Sequence, residues 1–306
     1  MSTGRGIMLK LLSVVVFTIM AALVKATADT VPPGQQVFFR SFFAIPVILV
    51  WLALRRELHK GLRARDPIKH VYRGVLGTAA MALGFAALGF LPLPEATAIG
   101  YAAPLLVVIF AAMFLGEDVR AFRLILVLVG LAGVIIVLTP RFNLTGDQVS
   151  LAQTLGAVLA LSGAACTALA QIFIRKLVME ERTAVIVFWF SATSSVLALA
   201  TIPFGWVWPS APVLALLVLI GLLGGLGQIL LTSAYRFAPA SVVAPFEYAS
   251  ILLALAIGYA VFGDMPTPAM LGGSAIVIAA GIAIIWRERQ LGIERSRQRK
   301  AMTPQG

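Results

Sequence analysis

The feature that most restricts this chain is a succession of apolar runs, each near twenty residues long, separated mostly by short loops. They fall at approximately 7–27, 35–54, 72–90, 94–115, 121–139, 152–173, 183–204, 212–235, 240–262 and 269–286. About 20 apolar residues cross a hydrocarbon core of about 30 Å. In lipid every backbone N–H and C=O must find its partner inside its own segment or in a closed barrel. Runs of this length are therefore helices, and the predicted fold class is an all-α membrane protein with ten transmembrane helices. Composition agrees: 60% of the 306 residues are hydrophobic and 12% charged, against about 45–50% and about 25% in a soluble domain.

The positions of the basic residues give the orientation, because cytoplasmic loops carry an excess of Lys and Arg. With ten spans, the N-terminus, the even-to-odd loops and the C-terminal tail share one side. Of the 24 Lys and Arg residues, only Lys25 and Arg141 fall on the other side and Arg40 falls within a span. Lys10, Lys69, Arg73 and Arg123 are all counted with the loops on the basic side. Both termini are thus predicted to be cytoplasmic in a bacterial-type inner membrane. The net charge of +11 sits in short loops, which argues against nucleic acid; the basic 55–73 loop and the C-terminal tail are read as lying against anionic headgroups, where each charge contributes about 1 kcal/mol, with a partner-binding role as the alternative. The segment before Ala26-Thr27-Ala28 resembles a signal peptide, but Lys25 is unfavourable there and the repeat below needs this segment as its first helix.

The single cysteine, Cys166, lies in an apolar run, and the two histidines, His59 and His70, share one basic loop. Neither arrangement makes a disulfide framework or a metal site, and no cofactor is called for.

The two halves resemble each other at an offset of 147 positions: Pro92 falls on Pro239, Tyr101 on Tyr248, and Gly116-Glu117 on Gly263-Asp264. Five is odd, so the second copy enters the membrane from the opposite face. The expected architecture is two inverted-topology repeats of five helices, residues 1–140 and 141–290, followed by a basic cytoplasmic tail, 291–306. Such repeats place a site near the midplane between the halves and allow it to open to either side.

The ordered motifs Ala22-Leu23-Val24-Lys25, Phe38-Phe39-Arg40-Ser41, Leu91-Pro92-Leu93-Pro94-Glu95-Ala96, Leu115-Gly116-Glu117, Pro245-Phe246-Glu247-Tyr248 and Phe262-Gly263-Asp264 resemble the drug/metabolite transporter superfamily in its ten-helix form with two EamA-type repeats. The resemblance covers about residues 7–287. It implies alternating-access carriage of amino acids, nucleosides, sulfonium or flavin metabolites, or toxic cations, with helices one to four and six to nine around the cavity and helices five and ten outside it. One departure is Ile251 where the first copy has Pro104, with Pro245 standing earlier instead; proline loosens a helix, so the halves need not flex at the same depth.

Ionisable groups inside a span are costly and call for a reason. Arg40 is about five residues into the second run, roughly 7 Å deep, and Glu247 about seven residues into the ninth, roughly 10 Å deep. They enter from opposite faces, with about 13 Å of depth between them across the core, and are read as the two ends of a site for a zwitterion. A carboxylate at the depth of Glu247 can also carry protons. Tyr101 and Tyr248 are symmetry mates that can stack and donate. Gln171 and Gln228 need partners in a dry bundle and are read equally as interhelical hydrogen bonds or further cargo contacts. Lys25, near the outer end of the first run, is read first as snorkelling to the interface and otherwise completes the set of substrate or coupling residues. Glu95 and Asp264, at helix ends, are expected to meet water, as are the loop pairs Glu117-Asp118 and Glu180-Glu181. Trp51, Trp206, Trp208 and Trp286 are expected at the interfaces. Gly221 and Gly225, and Gly74, Gly77, Gly84 and Gly89, are expected at helix crossings.

The function these residues support is a secondary transporter of a small organic metabolite, an amino acid or related amphoteric solute. Import of a vitamin, sulfonium or nucleoside-type metabolite is the alternative, and the sequence leaves a homodimer open. A membrane-embedded enzyme would need clustered acids or histidines for metal, and the 13 acidic residues are dispersed.

Overall fold

The computed structural model describes residues 3–56, 58, 62, 64–115, 121–141, 151–237 and 244–302. Among them every regular element is helical: α1 Thr3–Thr27, α2 Pro33–Phe42, α3 Ala44–Leu54, α4 Pro67–Phe90, α5 Leu93–Gly100, α6 Ala102–Leu115, α7 Ala121–Leu138, α8 Leu151–Glu180, α9 Thr183–Leu199, α10 Ala211–Phe237, α11 Ala249–Ile257 and α12 Pro268–Met302. A 3-10 segment, Ala244–Tyr248, leads into α11, and a π-helical segment, Gly258–Phe262, ends it. Among the described residues eight helical stretches are long and apolar enough to cross a membrane, and two more, Thr183–Leu199 and Phe246–Phe262, are apolar but shorter. The protein is a multi-pass membrane protein.

Local chemistry sets the helix starts. Asp66 caps α4, its carboxylate accepting from the Lys69 N–H, and Pro67 follows at the first helical position, where its missing N–H costs nothing. The helix therefore begins before the predicted 72, and Lys69, His70 and Arg73 lie within it. Pro33 opens α2 in the same way. The second run is divided at Phe43, which separates α2 from α3, and the fourth at Tyr101, which separates α5 from α6. Gly263, at φ 68°, stops the ninth run; a left-handed residue there is available to glycine without strain. The backbone after 290 continues as α12 to Met302, so the predicted tail is helical through that residue. The predicted reading of Gly116-Glu117 and of His59 lies outside the described residues.

Helices of the first half pack chiefly on helices of the second. α1 lies along α10, α4 along α8, α7 along α12, and α2 against both α9 and α10. Glycines permit these approaches. A Cβ at Gly221 would stand 2.6 Å from the Phe39 carbonyl oxygen, one at Gly225 3.0 Å from the Ala44 backbone, and one at Gly133 2.8 Å from the Gly273 carbonyl oxygen. Gly74 meets Thr193 on α9. Gly84 stands at the α4–α8 crossing, its backbone N 3.3 Å from a Cβ built at Gly163, although a Cβ on Gly84 itself would meet nothing within 4 Å. It lines a small cavity of about 130 Å³ between α4, α5 and α8, with Ala80, Ala96, Gly100, Gly163 and Thr167. Large apolar side chains of α7, among them Ile125, Leu128 and Ile135, are exposed, as a surface turned to lipid requires. Trp208 and Trp286 are exposed as well, whereas Trp206 is held by a hydrogen bond to Thr201.

Candidate functional site

Glu247 lies in the 3-10 segment Ala244–Tyr248, and the structure supplies it with a partner that the loop reading of the sequence missed. Lys10, counted there as a cytoplasmic loop charge, stands inside α1 with its side chain 1% exposed, and it forms an ion pair with Glu247, whose side chain remains 48% exposed. α1 begins at Thr3, so Lys10 is two turns into a helix that packs along α10. The pair bridges the two halves. Its ammonium is buried, and its carboxylate retains an open side.

One step along the chain, Tyr248 meets Tyr101. Their rings stand edge to face with centroids 5.0 Å apart. The Tyr101 hydroxyl bonds Ser250 and reaches the Tyr248 carbonyl oxygen at 3.4 Å. Both side chains are buried in the main apolar cluster, among residues of α6, α7, α8 and α12. A Cβ at Gly281 would overlap the Tyr248 hydroxyl, so α12 is glycine where that ring arrives. Gln171 is exposed on α8 and Gln228 half-buried on α10. Among the described residues, neither side chain is hydrogen-bonded to the ion pair or to the tyrosines.

At the opposite end of α1, a second set of contacts joins the halves. Lys25 Nζ donates to the Leu91 carbonyl oxygen at 2.8 Å and stands 5.3 Å from the Phe262 ring centroid. Asp264, just after the π-helical segment, accepts from the Leu93 N–H at 3.2 Å, which satisfies an orphan donor at the start of α5. Pro94 would lie 3.0 Å from a Cβ at Gly258. Glu95 is buried, in the first turn of α5, so the expectation that it meets water is overturned. An acid in that turn faces the positive end of the helix dipole. Glu181 is another departure: it accepts from the Arg65 N–H at 2.6 Å and lies 3.5 Å from His70 Nε2, its side chain 5% exposed.

Arg40 does not reach the interface. It is buried between α10, where a Cβ at Gly224 would stand 2.9 Å from its Nε, and α9, where its Cζ is 5.4 Å from the Phe190 ring centroid. Arg73, which the sequence placed in a loop, is equally buried. Its Cζ lies 3.7 Å from the same ring.

The EamA-like transporter family matches residues 4–139 and, separately, 154–287. The chain is similar to the pseudopaline exporter CntI of Pseudomonas aeruginosa strain UCBPP-PA14, at 31% identity over 91% of this chain and 95% of that one. It is also similar to the S-adenosylmethionine uptake transporter of Rickettsia prowazekii, at 27% identity over 94% of each. A crystal structure at 23% identity shares the fold, with a TM-score of 0.66 over 93% of this chain and 98% of that one. With family matches in both halves, on a multi-pass helical bundle whose halves pack against each other, the chain belongs to the EamA-like transporter family of the drug/metabolite transporter superfamily and is a transporter of small metabolites, not an enzyme.

Proposed function

We propose that the protein is a ten-helix secondary transporter, built as two inverted repeats of five, that carries an amino acid or related amphoteric solute across a bacterial-type inner membrane by alternating access. The observation that carries this reading is the crosswise pairing of the halves. α1 on α10 and α4 on α8 are the pairings that a two-fold exchange of repeats at an offset of 147 interconverts, and Tyr101 on Tyr248 lies where the exchange maps a residue onto its mate. The charge bias puts both termini, and with them Lys10 and Glu247, toward the cytoplasm; Lys25, Leu93 and Asp264 then close the outer end.

Arg40 and Glu247 remain the proposed contacts for the two ends of the cargo, with Lys10 now joined to Glu247. A cargo ammonium or a proton that reaches the open side of Glu247 competes with Lys10 for the carboxylate. It thereby loosens one of the ties between α1 and the second half. This gives cargo or proton binding a differential grip on two conformations, the requirement for any coupled switch. The names of the relatives favour both directions of movement. Uptake of a sulfonium metabolite is the second reading, supported by the S-adenosylmethionine transporters of Rickettsia.

The test is untargeted metabolomics of cells and medium, comparing cells that make this protein with cells that make its Arg40→Ala, Glu247→Gln double variant. One compound class should change compartment only with the unmodified protein. Equal shifts with both proteins would remove the proposed site and leave the transporter.

A further inference from the structure

We propose that Arg40 and Arg73 together form a carboxylate-binding site, with Phe190 as its platform, in the seam between the two halves. The inference rests on the transport reading above and names the chemical group of the cargo that this seam takes.

The two arginines come from opposite ends of the bundle. Arg40 is the eighth residue of α2 and Arg73 the seventh of α4, each about 10 Å from its helix start at 1.5 Å per residue. α2 and α4 begin at opposite ends, so the two side chains converge near mid-depth. They meet at Phe190 on α9, with guanidinium carbons 5.4 and 3.7 Å from the ring centroid. Guanidinium stays protonated under any physiological condition, so two positive charges share one aromatic ring inside the bundle.

Among the described residues neither charge is answered. Neither arginine has an ion-pair partner among them, and Nε and Nη1 of each are buried without a hydrogen-bond acceptor. Buried polar groups are otherwise nearly always bonded, and a lone buried charge is the costly case. The neighbouring chain is cut to leave these groups room. A Cβ at Gly224 would crowd Arg40 Nε, and one at Gly77 would overlap Arg73 Nη1 and stand 2.7 Å from Phe190 Cε2. The hydroxyls of Ser41 and Ser191, each adjacent in sequence to a member of the trio, are likewise buried and unbonded. Two planar donors without acceptors among the described residues, and a ring that holds them, have the chemistry to take an anion. A carboxylate matches the donor fork of guanidinium. It would answer both charges and relieve their mutual repulsion.

The test uses the full-length protein in phosphatidylcholine vesicles, treated with the arginine reagent phenylglyoxal. Adducts are located by mass spectrometry in the presence of succinate, glutamate, citrate, uncharged succinamide, inorganic phosphate or chloride. Adducts should form at Arg40 and Arg73. One or more carboxylates should slow them about tenfold, the factor that a charge-assisted hydrogen bond of ordinary strength supplies. Succinamide should have no effect, and exposed Arg55 and Arg287 should react at one rate throughout. Three results would overturn the proposal: no adduct at Arg40 and Arg73 while Arg55 and Arg287 react, which makes the pair a sealed packing feature; adducts whose rate ignores every anion; or protection by phosphate or chloride without protection by a carboxylate. None of these bears on whether the protein transports, so this failure and that of the transport reading are separable.

Discussion

Tyr101 and Tyr248, 147 residues apart and equivalent in the two repeats of the sequence, meet edge to face with centroids 5.0 Å apart, yet their hydroxyls have different surroundings. That of Tyr101 bonds Ser250 and approaches two carbonyl oxygens, whereas that of Tyr248 lies against Gly281 of α12. Two residues that the 147-residue offset pairs therefore have unlike surroundings. Tyr101→Phe should cost about 1 kcal/mol, the usual net value of a lost hydrogen bond, and Tyr248→Phe less. Gly281→Val should cost about 1–3 kcal/mol through overpacking. Thermal unfolding of the purified protein in detergent ranks the three, and an equal loss from both tyrosine variants would refute the asymmetry.

The Lys10–Glu247 pair predicts a second asymmetry. Glu247→Gln takes a carboxylate from an ammonium whose side chain is 1% exposed, whereas Lys10→Met leaves a carboxylate that is 48% exposed. Breaking a buried charge pair is costly in proportion to the burial of the charge left behind. Glu247→Gln should therefore be the more destabilising single change, by about 1–3 kcal/mol, and Lys10→Met combined with Glu247→Gln should recover most of the loss. Thermal melts of the four proteins measure the coupling. Additive losses would mean that the pair contributes nothing to stability.

The helices were legible in the sequence because a lipid-crossing segment must be long, apolar and self-bonded, and the apolar runs coincide with the observed helices apart from end residues and breaks. The breaks at Phe43 and Tyr101 and the 3-10 start of the ninth run carry no hydropathy signal. The candidate site was half legible. Arg40 and Glu247 stood out because each is a charge inside an apolar run. Lys10 and Arg73 did not, because each lies near the end of a run, where a hydropathy window assigns charge to the loop. The Asp66-Pro67 start signal could have drawn α4 back far enough to set Arg73 well inside it. Nothing local in the sequence tells that Lys10 turns inward to Glu247, a contact spanning 237 positions.

On the proposed alternating access, the contacts at the far end of α1 predict a conformational effect. Asp264 holds the Leu93 N–H and Lys25 holds the Leu91 carbonyl oxygen, so both ties join the corner between α4 and α5 to its neighbours. Loss of a side-chain cap costs about 1 kcal/mol. Asp264→Ala with Lys25→Met should thus favour the form open at that end by roughly tenfold or more. In a Cys166→Ser background, a cysteine placed at Ala96, which lines the small cavity beside α5, should react faster with a membrane-impermeant maleimide in intact cells. An unchanged labelling rate would mean that these contacts do not hold the closed form.

The α7–α12 pair predicts where stability and transport separate. Gly133 and Gly273 bring the two helices into backbone contact, a Cβ at Gly133 lying 2.8 Å from the Gly273 carbonyl oxygen. The residues proposed to meet cargo lie on other elements: Arg40 on α2, Arg73 on α4, and Glu247 in the segment before α11. Gly133→Leu should force the pair apart and cost about 1–3 kcal/mol by overpacking, while leaving unchanged which compounds move. Gly224→Leu, on α10, inserts a side chain where Arg40 lies. It should instead abolish movement of carboxylate-bearing compounds even in protein that still melts cooperatively. Metabolomics of cells making each variant, paired with a thermal melt, separates the two. A change in the compounds carried by Gly133→Leu would place α7 and α12 in the transport path and not at its edge.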